Sequence, residues 1–162
     1  MNDYKSDAIL SKDRKYRYVL SRIWDDSKDK IVFIGLNPST ADEKEDDPTI
    51  RKCISYAKKW GYGGLYMLNL FAYRATKPKE MKKANNPIGD ENDKYLDEYV
   101  NKSDKVICAW GNNGSFQNRS YKILNKYNNL YYLKLNKSKE PSHPLFLSRD
   151  LKPIKFDKKK LK

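Results

Sequence analysis

Residues 30–49 read KIVFIGLNPSTADEKEDDPT. A nearly continuous apolar run, Lys30–Leu36, ends abruptly in Asn37-Pro38-Ser39-Thr40; a cluster of carboxylates follows, and then Asp47-Pro48-Thr49. A short apolar run without alternation suits a strand covered on both faces, as in a parallel sheet. Asp47 has the side chain of an N-cap, and Pro48 sits where a first helical residue needs no N–H. Ile50, Cys53, Ile54, Ala57 and Trp60 then recur at helical spacing until Gly61 stops the run. The stretch therefore predicts strand, polar loop and helix, the opening unit of an α/β fold.

Three further apolar runs predict strands: Leu65–Phe71 (LYMLNLF), Lys105–Trp110 (KVICAW) and Leu130–Leu135 (LYYLKL). Helical spacing marks the intervals. Tyr16, Val19, Leu20, Ile23 and Trp24 share one face before the first strand. Asp90 is placed to cap a helix with Leu96, Tyr99 and Val100 on its inner face, and Tyr121, Ile123, Leu124 and Tyr127 mark another. Lys77–Gly89 (KPKEMKKANNPIG) reads as a connecting loop with at most a short helix. Alternating strands and helices predict a three-layer α/β/α sandwich around a central, mainly parallel four-stranded sheet. One domain over residues 1–162 is expected, with a core of about 12–150 and a basic tail at 151–162.

The formal net charge of +13 favours a polyanionic partner, most simply nucleic acid. Cys53 and Cys108 stand far apart and outside any CxxC pair, so neither a zinc site nor an iron–sulfur cluster is spelled out. No metal or other cofactor is expected. The N-terminus lacks an apolar signal core, and no run reaches the roughly 18 apolar residues of a membrane span. A cytoplasmic monomer without membrane contact is the expectation.

In an open parallel sheet, ligands bind outside the carboxyl ends of the strands. The polar clusters fall there. The first strand runs into Gly35, Asn37, Pro38, Ser39 and Thr40. The second carries Asn69 and runs into Phe71, Tyr73, Arg74 and Thr76. The third ends in Trp110, Gly111 and Asn112, and Ser142, His143, Pro144, Leu145 and Phe146 follow the fourth. Each has a plainer reading. Asn-Pro-Ser-Thr can be a turn that caps a helix. Trp-Gly-Asn can be an ordinary strand-to-helix turn, and a lone histidine can be structural. Asn69 is the exception, because a buried amide needs partners or costs a few kcal/mol. The carboxylates Asp42–Asp47 could hold a divalent metal or form a solvated acidic loop. Asp42, Asp47, Thr49 and Arg51 make up a candidate polar wall.

The successive motifs FIGLNPSTAD, DDPTIRKC, WGYGGLYMLNLFAYRAT, NPIGDEND, AWG and HPLFL resemble the bacterial and phage family catalogued as domain of unknown function 1643, from about Tyr16 to Leu147. More distantly, the order and spacing are similar to the uracil-DNA glycosylase superfamily. The matching residues are Gly35-Leu36-Asn37-Pro38, Asn69, Trp110-Gly111 and His143-Pro144. That resemblance implies a glycosylase-like fold, a nucleobase bound at the sheet edge, and a partner that is DNA ahead of RNA, or a nucleotide. Asn37 and His143 would be catalytic, the first orienting a water and the second donating to a base oxygen. Asn69 would read a base edge, with Gly35, Pro38, Ser39, Thr40, Phe71, Trp110, Gly111 and Pro144 around the base. Arg74 and Asn112 would contact backbone phosphates, and Leu145 and Phe146 would enter the base stack of an extruded nucleotide. Ser39-Thr40 and Leu145-Phe146 replace residues usual in glycosylases, so uracil itself is not implied.

Three functional readings follow: hydrolysis of an N-glycosidic bond in DNA or a nucleotide, a non-catalytic nucleotide or nucleic-acid binding module with the same pocket, and a metal-dependent small-molecule hydrolase.

Overall fold

In a computed structural model, which describes residues 4–157, the seven strands are β1 (Lys5–Leu10), β2 (Arg17–Ile23), β3 (Lys30–Gly35), β4 (Gly64–Asn69), β5 (Val106–Cys108), β6 (Leu130–Tyr132) and β7 (Ile154–Lys155). The α-helices are α1 (Pro48–Lys59), α2 (Pro78–Lys82), α3 (Asn92–Asn101) and α4 (Arg119–Lys126).

All seven strands lie in one sheet, in the order β1-β2-β4-β3-β5-β6-β7. The four expected strands form its parallel centre, β4-β3-β5-β6. β1 and β2 extend one edge antiparallel, and β7 pairs antiparallel with β6 on the other. The sheet is thus mixed and seven-stranded rather than mainly parallel and four-stranded.

The first correction concerns residues 16–24. Arg17–Ile23 is a strand, not a helix, paired with β1 on one side and β4 on the other. Both of its faces are largely buried, so apolar residues at 16, 19, 20 and 23 satisfy a two-sided strand as well as a helical stripe. The tail is corrected in part: Ile154–Lys155 pairs with β6 instead of ending free, and Lys158–Lys162 lies outside the described residues.

Side chains alternating along the central strands feed two core clusters. Ile31 and Phe33 join Leu65, Met67 and Ile107 beneath α1, which contributes Ile50, Cys53, Ile54 and Ala57. Val32 and Ile34 point the other way, with Leu68, Val106 and Cys108, toward α3 and α4, which contribute Leu96, Val100, Ile123 and Leu124. Each such aliphatic side chain contributes about 1.5–3 kcal/mol on burial.

Asp47 caps α1 as expected, accepting from the Ile50 N–H at 2.9 Å. Asp90 does not cap α3; the N-cap is Glu91, without a side-chain bond, and Asp90 accepts from Asn86 instead. Tyr121 is exposed rather than part of the inner face of α4. Among the described residues, no helix is long and apolar enough to cross a membrane.

Candidate functional site

The chain turns away from the sheet after Gly35 and Asn69, which are register partners on β3 and β4. Outside these strand ends lies a cavity of about 350 Å³. Gly35, Asn37, Pro38, Ser39, Thr40, Asp47, Thr49, Asn69, His143 and Leu145 all line it. So do Thr76, from the polar cluster after the second expected strand, and Arg17 and Met67, which the sequence did not mark as site residues.

Asn69 ends β4 with 1% of its surface exposed, and its Nδ2 has no hydrogen-bond partner among the described residues. Its backbone is fixed from behind. Asn92 Nδ2 donates to the carbonyls of Asn69 and Leu70, at 3.0 and 3.2 Å. Arg119, itself buried, donates through Nε and Nη2 to Leu70 O and through Nη2 to Asp93. A rigid frame therefore carries the Asn69 amide at the cavity wall, with its Nδ2 met by no described residue.

Asn37 is half-buried, and its amide N–H₂ faces the backbone. Nδ2 lies 2.9 Å from Ala75 O, 3.1 Å from Pro38 O and 3.5 Å from Tyr73 O. These bonds tie the loop after β3 to the segment after β4. Oδ1 is left as the acceptor, without a partner among the described residues.

His143 arrives on the connection between Leu135 and Pro144. A bridge between Leu135 and Pro141, and the Gly111 N–H donated to Pro141 O at 2.8 Å, fix that connection against the end of the sheet. Gly111 has φ +78°, a backbone region that glycine tolerates best, and a Cβ there would lie 3.7 Å from His143 Cβ. His143 Nδ1 accepts the Leu145 N–H at 3.3 Å. The neutral ring therefore carries its proton on Nε2, which leaves that atom as its donor. The outer face of the ring is exposed, yet desolvation of the packed side holds its pKa below the usual 6.5, against an opposing pull from Asp47. Downstream, α1 anchors the chain: Lys52 Nζ donates to Leu147 O at 2.7 Å and Tyr56 OH to Ser148 O at 2.6 Å.

Arg17 begins β2, and because β2 runs antiparallel to β4 its start lies beside the end that carries Asn69. Its guanidinium is 2% exposed; Nη1 donates to Ala41 O at 2.9 Å, and Nε has no partner among the described residues. Burial pulls its pKa down to about 10, opposed by Asp47, so the group remains a cation at neutral pH.

The acidic stretch is neither a metal site nor a freely solvated loop. Asp46 pairs with buried Arg22 at 2.7 Å, and Glu43 pairs with Arg14 at 2.9 Å. Asp42 accepts the N–H groups of Lys44 and Glu45, both at 2.8 Å, and these bonds hold its carboxyl below the usual carboxylate range. Arg22 also donates to the carbonyls of Asp42 and Glu45. Asp47 alone among these carboxylates lines the cavity. Among the described residues, no group of three or more His, Cys, Asp and Glu could hold a metal ion.

Several sequence candidates stand elsewhere. Phe71 is fully buried against Phe116. Trp110 is buried with Nε1 donating to Glu140 at 3.0 Å, so it braces the core rather than facing the cavity. Asn112 accepts from Asn136 and Ser138. Arg51 is exposed and donates to Asp46 O at 3.4 Å. Pro144 is buried at the start of a short 3-10 turn, whose last residue, Phe146, is 94% exposed. Arg74 lines a shallower neighbouring depression with Arg14, Lys15, Ser39 and Thr40.

A family model described as protein of unknown function (DUF1643) matches residues 17–145. No curated protein and no solved structure matches the chain.

Proposed function

The chain belongs to that family, and we propose that it binds a nucleobase in this cavity and hydrolyses the N-glycosidic bond of a nucleotide, in DNA or free. The observation that carries the reading is the convergence of Asn37, Asn69 and His143 on one cavity, with the Asn69 amide buried and its Nδ2 without a partner among the described residues. The motif order, which resembles that of the uracil-DNA glycosylase superfamily, supports it.

On this reading Asn69 Nδ2 donates to an acceptor on the base edge. Water adds through oxygen to C1′ while the C1′–N pair leaves with the base. His143 Nε2–H faces the base oxygen on which negative charge grows, a preorganised donor of the kind that supplies much catalytic stabilisation. The water's proton passes to Asp47, the cavity's one carboxylate among the described residues, and then to the departing base. Asn37 Oδ1 orients that water without removing its proton. A positioned general base contributes about 10²–10⁴-fold. Arg14, Lys15 and Arg74 line the depression beside the cavity and supply a cationic rim for phosphate.

The test is base release from oligonucleotides and nucleotides carrying uracil, hypoxanthine, hydroxymethylated or glucosylated bases, read as abasic sites or free base. Asp47→Asn and His143→Ala should each abolish release while binding survives. Tight binding with no product from any base would favour the non-catalytic module, which the commitment of the Asn37 amide to backbone carbonyls also suits. Neither binding nor release would end the reading.

A further inference from the structure

We infer that Arg17, with the Asn69 amide beside it, forms a cationic floor in this cavity that selects a ligand presenting negative charge on oxygen. The inference rests on the reading of the cavity as a binding site and names the chemistry of what enters it.

The argument starts from two buried donors. Arg17 Nε and Asn69 Nδ2 have no hydrogen-bond partner among the described residues, and Arg17 and Asn69 are themselves 2% and 1% exposed. An unmet buried donor costs about 1–3 kcal/mol, more for a charged group. Two such deficits at neighbouring strand ends, on residues that both line one cavity, are unusual unless a ligand or solvent meets them.

The charges around Arg17 make the demand specific. No carboxylate lies within 4 Å of it among the described residues, whereas Arg14 has two, Glu43 and Asp42, and Arg22 and Arg119 have one each. Asp42 and Asp47 act on Arg17 from farther off, and Arg22 and Arg74 oppose them. Asp42 is occupied with the N–H groups of its own loop, and Asp47 turns Oδ1 to the N-terminus of α1. Arg17 is thus a buried cation to which no described residue supplies a counter-charge at contact distance. His143 Nε2–H adds a third donor to the same wall. A ligand edge rich in N–H donors would leave all three unmet, whereas a carbonyl edge bearing negative charge, or a phosphate, would meet them.

Two sources share that chemistry: an acidic, carbonyl-rich heterocycle and the phosphate of a nucleotide. Calorimetric titration of the full chain separates them. The probes are xanthine and 5-carboxyuracil, inorganic phosphate and nucleoside 5′-monophosphates, with cytosine and adenine as neutral controls. At least one anionic probe should bind wild type, and Arg17→Met should weaken it by about ten- to a hundredfold, the range of a charged hydrogen bond. Arg17→Lys should recover part of the loss, and any binding of neutral controls should not change. Anionic heterocycles binding without phosphate would locate the charge on the base; phosphate and monophosphates binding alone would keep this inference and sink the nucleobase reading. Thermal unfolding of Arg17→Lys and Arg17→Met separates lost binding from lost folding. No anionic probe binding wild type, or equal weakening of anionic and neutral probes in a folded Arg17→Met, would overturn the inference.

Discussion

Gly35 and Asn69 face each other across the parallel strands β3 and β4, and a Cβ built on Gly35 would stand 3.1 Å from Asn69 Oδ1 and 2.9 Å from Met67 Cε. The missing side chain gives the Asn69 amide its place. Met67 ends in a flexible methyl that can shift, but Asn69 is held from behind by Asn92 and cannot retreat freely. Gly35→Ala should therefore cost about 1–3 kcal/mol, as overpacking does, and weaken ligand binding beyond that. Calorimetry alongside thermal unfolding checks it. A variant that binds every ligand as wild type does would show that Asn69 has slack.

Asn69 gives a sharper test, because its stability and functional effects should have opposite signs. An amide buried without a partner costs about 1–3 kcal/mol, and an apolar group of similar shape avoids that cost. Asn69→Leu should be as stable as wild type or up to about 2 kcal/mol more stable, and should lose ligand binding. A clear drop in unfolding midpoint would mean that the amide already has its partner in the free protein.

His143 is the chain's one histidine, so a single imidazole titration in a proton NMR spectrum reports on the cavity. Desolvation holds its pKa below 6.5, and Asp47 pulls the other way. Asp47→Asn should lower it further, since the group favouring the cation is gone. The sign for stability follows: a depressed histidine pKa favours folding above the unfolded value, and that contribution fades as pH falls through the folded pKa. Acid also places a proton on Nδ1, which the Leu145 N–H now occupies, so catalysis should fall on the same limb. A titration at or above 6.5, or one unmoved by Asp47→Asn, would contradict this geometry.

The unit around residues 30–60 was legible because its signals are local: an unbroken apolar run, a cap at Asp47, a proline at the first helical turn. Asn69 was legible for a related reason, an amide inside an apolar strand having few excuses. β2 was not. Tyr16, Val19, Leu20 and Ile23 fit a helical stripe, and only pairing with β1 and with β4, more than forty residues away, makes them a strand. That error hid Arg17, which falls off the apolar stripe of a helix but at the buried start of the strand. Trp110 shows the opposite failure. Its place at a strand end suggested the pocket, and nothing local revealed that Glu140 would take its indole N–H. The solvated reading of the acidic loop missed its neutralising cations, because Arg22 comes from β2 and Arg14 from the β1–β2 connection.

Phe146 is 94% exposed, three residues from His143 on a turn anchored by α1. Core packing does not explain it. If the cavity takes its base from a polymer, this ring stacks on a neighbouring base, an interaction worth about 1–3 kcal/mol on alanine substitution. Phe146→Ala should leave the unfolding midpoint unchanged and weaken single-stranded DNA binding by about fivefold or more. Fluorescence anisotropy at fixed salt measures it; equal affinity would remove Phe146 from the interface.

Arg22 decides whether the acidic loop holds its shape. Its side chain is 1% exposed and that of Asp46 is 10% exposed, with Nε to Oδ1 at 2.7 Å. Nη2 donates to Asp42 O at 2.5 Å and to Glu45 O at 3.0 Å, and Nη1 to Ser21 O at 2.9 Å. Removing one partner of a buried pair leaves the other charge uncompensated, a loss of about 3–5 kcal/mol. Arg22→Met should cost that much in denaturant unfolding, whereas a solvated loop would cost less than about 1 kcal/mol. Asp46→Asn, which keeps one acceptor for Nε, should fall between. The loop also carries Asp47 into α1, so the loosened variant should lose catalysis out of proportion to its unfolded fraction. A midpoint within error of wild type would mean that the loop stands without the guanidinium, and that Asp47 owes its position to the helix cap alone.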